Sequence, residues 1–95
     1  MSETEEKTQA AQASIPPTVG RIVHYVVSPG EHRAAIVVRH WSGDMANLYV
    51  FLDGMNDSYF NGVGTQIAPG LLWVTSVHQD EDEKKLFTWH WPERV

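Results

Sequence analysis

The chain contains no cysteine. That absence rules out a disulfide framework, a thiolate metal site and a cysteine nucleophile, and it fits a reducing compartment. Long apolar runs are missing too. Nothing approaches the ~20 consecutive apolar residues of a membrane-spanning helix, and the first residues show neither the basic nor the apolar region of a secretory signal. Neither membrane insertion nor export is expected. Positive charge is scarce: seven Lys and Arg stand against twelve Asp and Glu, a formal net charge of −5. A surface that tracks a phosphate backbone needs a dense Lys/Arg stripe, so general nucleic-acid binding is not expected either. No apolar period of 3.6 is sustained over three turns, which leaves no long helix.

What is present reads as β-structure. The 95 residues fit one small domain. Residues 1–14 are too polar to offset their own ordering entropy, and Ile15-Pro16-Pro17 is stiff and extended. Residues 1–17 therefore form a polar N-terminal arm and proline linker, and residues 18–95 the domain. Runs rich in β-branched and aromatic residues occupy 21–27, 34–41, 46–52, 71–78 and 86–91. Ser28-Pro29-Gly30, Ser42-Gly43-Asp44 and Asp53-Gly54 separate the earlier ones. The charged stretch 79–85 reads as a solvated hairpin loop between the last two. Residues 55–70 form a long excursion with room for a short hairpin. The predicted fold is all-β: a small five-stranded SH3-like barrel or meander with an extended N-terminal arm.

The strands are apolar on both faces. Val23, Tyr25 and Val27 lie on one side of the first strand and Ile22 and Val26 on the other. Leu48, Val50 and Leu52 oppose Tyr49 and Phe51 in the third. A small barrel has one interior, so such strands predict cover from the 55–70 excursion or from another subunit.

Chemistry is harder to place. His24, His40, His78 and His90 fall on or at the ends of strands, but there is no His-x-His pair and no His-Glu-x-x-His signature. No metal ligand and no cofactor are assigned. Ser42 and Ser76 lack a nucleophile-elbow context, and paired carboxylates occur only in the solvated stretch 80–83. The protein is therefore expected not to be an enzyme. Aromatic surface is the stronger lead. In the last ten residues Phe87, Trp89 and Trp91 share one face and Thr88 and His90 the other. Phe87 and Trp89 are expected in the core, and Trp91 on the rim with Arg94. The candidate binding set is Arg21, His24, Arg33, Arg39, Trp41, Trp73, His90, Trp91 and Arg94.

Two resemblances bear on this. Val19-Gly20, residues 34–37 and residues 49–54 resemble the opening of Tudor and KOW-type barrels, which implies the barrel fold. Gly20-Arg21-Ile22-Val23-His24-Tyr25, Asn47-Leu48, Val50-Phe51, Asp53-Gly54, Trp73, Thr75-Ser76-Val77 and Thr88-Trp89-His90-Trp91-Pro92 resemble a group of small proteins of tailed bacteriophages and prophages. That resemblance implies a phage origin and a place in the host cytoplasm or the virion, and carries over no residue roles. Three functions follow as expectations. The first is a non-enzymatic interaction or assembly module. Its apolar outer face and arm would bind neighbouring subunits, in a homo-oligomer or a phage particle, or a host protein. The second is an oligomeric protein that sequesters a nucleotide-like host immune signal between aromatics and Arg21, Arg33 or Arg39. The third is a histidine-dependent metalloenzyme.

Overall fold

A computed structural model describes residues 15–55 and 63–93. The expectations for residues 1–14, for much of the 55–70 excursion and for Arg94 lie outside the described residues. Six strands form one antiparallel sheet: β1 (Ile22–Ser28), β2 (Glu31–His40), β3 (Ala46–Phe51), β4 (Thr65–Ala68), β5 (Leu71–Val77) and β6 (Trp89–His90). Their order across the sheet is β4-β5-β3-β2-β1-β6. The all-β fold is as expected, with one strand more.

Two of the hairpin turns share a chemistry. Between β1 and β2, Ser28 pairs with Glu31 across Pro29-Gly30. Between β4 and β5, Ala68 pairs with Leu71 across Pro69-Gly70. Proline presets the first central position, and Gly30 and Gly70 take φ values of 75° and 79° that a side chain would resist.

The last connection departs from expectation. Residues 79–85 are not a hairpin loop, because β6 does not lie beside β5 in the sheet order. The chain crosses to the far edge, where His24 pairs with His90 and Tyr25 with Trp89. On its other side β6 meets the continuation of β5. Gln79 and Trp89 form an isolated parallel bridge, with Trp89 N–H donating to His78 O and Asp80 N–H to Trp89 O, both at 2.9 Å. The sheet is not closed by a continuous ladder, but this bridge ties its β6 edge to the end of β5, the strand next to the opposite edge. β6 is also shorter than the expected strand over 86–91. Phe87 sits at φ 65°, a left-handed conformation that interrupts extended backbone.

Alternation sorts the two faces. Val23, Tyr25, Val27, Ala35, Val37, Leu48, Val50, Leu72 and Val74 point inward with Trp89 and Trp91, and together form the core. Ile22, Ile36, Tyr49, Trp73 and Thr65 follow one another from strand to strand on the opposite face. There Ile22 and Phe51 remain 46 % and 45 % exposed, so the apolar second face is real and only partly covered.

Candidate metal centre

Histidines gather on that outer face at the β1–β2–β6 end of the sheet. His24 lies directly opposite His90. His32 lies opposite Val26, two positions along β2 from Ala34, the partner of His24. Side chains repeat every two residues along a strand, so His24, His32 and His90 share one face. After His90 the chain turns through Trp91-Pro92 and returns Glu93 to the same place. Each of the four residues offers a ligand atom, and these atoms lie within 4.8 Å of one another.

The carboxylate is the hub. Glu93 Oε2 accepts a hydrogen bond from His24 Nδ1 at 3.1 Å. Oε1 stands 3.4 Å from His32 Nδ1 and 2.9 Å from His90 Nε2. The rings surround it edge to face, with centroids 4.6 Å apart for His32 and His90 and 5.5 Å apart for His24 and His90. Lys84 Nζ approaches Oε1 from outside at 3.9 Å. His90 is fully buried, whereas the Glu93 side chain is 44 % exposed, so the cluster has a closed floor and an open mouth.

His90 is the anomaly. Neither of its ring nitrogens makes a hydrogen bond, because the close approach to Glu93 lies off hydrogen-bond geometry. A buried polar group without a partner is costly. Burial holds its pKa down at about 4, with His32, His24 and Lys84 adding to the effect and Glu93 opposing it. The imidazole is therefore neutral near pH 7, the form that ligates metals. Burial alone would raise the Glu93 carboxyl, but its own backbone N–H and the three imidazoles outweigh this and hold it below the ordinary glutamate value.

Donors at the ~2.0–2.1 Å of zinc coordination sit about 3.3–3.4 Å apart in a tetrahedron. The separations of Glu93 Oε1 from His90 Nε2 and His32 Nδ1, 2.9 and 3.4 Å, are near that size, and His24 Nδ1 lies 3.1 Å from the other carboxylate oxygen. Side-chain adjustments of about 1 Å would bring the remaining pairs to the same spacing. No thiolate is present, and three imidazoles with one carboxylate suit zinc, cobalt, nickel, iron(II) or manganese better than calcium or magnesium, which take oxygen ligands.

The remaining candidate residues scatter. Arg33 is 8 % exposed, with Nη1 on Glu31 and Nη2 on Asp53 at 3.1 and 2.9 Å. The Arg39 guanidinium lies 3.9 Å from the centroid of Trp41, whose indole N–H donates to Asn47 Oδ1. Arg21 lies 4.8 Å from the Trp91 ring centroid. Six residues of strand separate Arg33 from Arg39, about 20 Å, so one small anion does not bridge them. Trp73 stacks at a tilt on Tyr49 and lines an open groove of about 330 Å³ with Val63, Gly64, Thr65 and Thr75. Trp91 corrects an expectation: it is 3 % exposed, in the core beside Trp89, and does not stand on the rim. His40 and His78 are engaged elsewhere, by Gly43 O and by Asp44 Oδ1.

Of the four cluster residues, sequence reasoning selected His24 and His90 and missed His32 and Glu93. Two signals were available. The Pro-Gly turn places residues 24 and 32 on one face once β2 is allowed to start at Glu31, and His90-x-x-Glu93 is a short-range ligand spacing. Comparison with known proteins adds no precedent: no family model, no curated protein and no solved structure matches the chain.

Proposed function

We propose that this protein binds one divalent transition-metal ion through His24, His32, His90 and Glu93. The observation that carries the reading is His90, fully buried with unpartnered ring nitrogens and with Nε2 facing a carboxylate that two further imidazoles share. A metal at the centre would give that nitrogen its partner, and Glu93 would offset half of the ion's charge. The ion would join the β1–β2 hairpin to β6 and the residues just after it, two pieces of chain remote in sequence. The function assigned is binding, not turnover, in keeping with the absence of a catalytic signature in the sequence.

Isothermal titration of chelator-treated protein decides it. The expected result is one zinc per chain and no heat from calcium. His24→Ala, His32→Ala and His90→Ala should each weaken zinc by more than the roughly 10–100-fold that outer-sphere partners contribute. Undiminished zinc binding in a His24→Ala/His90→Ala double variant would contradict the assignment.

A second reading rests on a separate observation, the apolar row on the outer face with Ile22 and Phe51 about half exposed. Apolar surface of this kind is used in subunit contacts. On this reading the domain is an interaction module that associates with further copies of itself or with other subunits. Light scattering after size exclusion should give an oligomer for the wild type and a monomer for Ile22→Glu/Phe51→Glu. A monomeric wild type removes the self-association.

A further inference from the structure

We infer that Lys84 is the resident counter-ion of this centre, which an incoming metal must displace, so that Lys84 sets the affinity and salt sensitivity of metal uptake. The inference rests on the metal-binding reading above and concerns how that site is regulated.

Three observations support it. Lys84 Nζ lies 3.9 Å from Glu93 Oε1, and Oε1 is also the oxygen nearest His90 and His32. Among the described residues it is the one lysine or arginine paired with that carboxylate. The ammonium and a metal ion would thus neutralise the same atom.

The position of Lys84 is set by its loop. Asp80 accepts the backbone N–H groups of Glu83 and Lys85 at 3.0 and 3.2 Å, and these bonds, the Glu83 one foremost, hold its carboxyl below the ordinary aspartate value against the opposing effect of burial. Lys84, between them, adopts φ 51°, a left-handed conformation uncommon for a residue with a side chain. The loop is also tied to β6 through Asp80 N–H and Trp89 O. An anchored backbone therefore delivers the ammonium to the mouth of the site. Its neighbour Lys85 pairs instead with Glu83 at 3.0 Å.

The burial gradient completes the argument. His90 forms a closed floor, while the side chains of Lys84 and Glu93 are 31 % and 44 % exposed. Lys84 stands on the open side, beside Glu93, from which a metal would enter. Once the ion is bound, a cation a few ångströms away is repelled and its side chain is released to solvent. Metal loading and the Lys84–Glu93 pair exclude one another.

The test compares zinc affinity in the full chain for wild type, Lys84→Met and Lys84→Arg, at low and high sodium chloride, with the melting temperature of each metal-free variant measured alongside. Lys84→Met should bind zinc about three- to tenfold more tightly at low salt, an advantage that shrinks as salt screens the pair. Lys84→Arg should behave as wild type, because it restores the charge. Equal or weaker zinc binding by a Lys84→Met protein that melts like wild type overturns the inference while leaving the metal site standing. Absence of zinc binding in the wild type as well overturns both.

Discussion

Replacing Trp89 by Ala is expected to remove about 3–5 kcal/mol of stability. Trp89 is fully buried and central to three connections. Its backbone pairs with Tyr25 on β1 and bridges residues 78–80 on the other side. Its indole N–H donates to Asp44 O at 2.8 Å, while the Asp44 carboxylate holds His78 Nδ1 and Gln79 N–H. Truncation thus opens a cavity in the core and frees the contact between β6 and the residues that continue β5. A domain of this size has about 5–10 kcal/mol in hand, so the variant should be half unfolded at little denaturant. Trp89→Phe keeps most of the volume and loses the hydrogen bond, and should fall between. Urea unfolding followed by circular dichroism measures both. A loss below about 1 kcal/mol for Trp89→Ala would show that β6 does not close the fold.

Acid should destabilise the metal-free protein well before ordinary carboxylates titrate. His90 is held at about 4 in the fold, chiefly by burial, against ~6.5 for an unfolded histidine. Between those values the unfolded chain binds a proton that the folded chain refuses, so folding stability falls as pH falls. The contribution is fully present above about pH 6.5 and lost progressively toward pH 4, on the order of 3 kcal/mol over the whole window. Glu93, also lowered, acts in the same direction at the acid end. The urea midpoint in chelator should therefore drop between pH 7.5 and 5, and His90→Phe should flatten that drop. A midpoint constant over this range would mean that His90 takes up its proton without penalty.

Much of the fold was legible because β1, β2, β3 and β5 each announce themselves with a β-branched or aromatic run, and because Pro29-Gly30 marks its turn. β4 was read only as room for a hairpin, since its four residues carry little apolar content. The partner of the last strand was not legible. Nothing local in 86–91 says whether it returns beside β5 or crosses to β1, and the left-handed backbone at Phe87 has no sequence signature of the kind glycine provides. The site was half legible for the same reason. His24 and His90 stood out as strand histidines, but their pairing is made by that crossover. His32 was lost to a strand boundary placed at 34, because Glu31, His32 and Arg33 are polar and extended only through pairing with β1. Trp91 looked like rim because it neighbours Pro92 near the end of the chain, whereas inward alternation from Trp89 carries it into the core.

The most direct test of the central claim is X-ray absorption at the zinc edge of the loaded protein. Coordination by His24, His32, His90 and Glu93 predicts a first shell of three nitrogens and at least one oxygen at about 2.0–2.1 Å, with the outer-shell scattering of imidazole rings, and one imidazole fewer in His32→Ala. Zinc lost on dialysis, or retained in a shell without imidazole scattering, would contradict it.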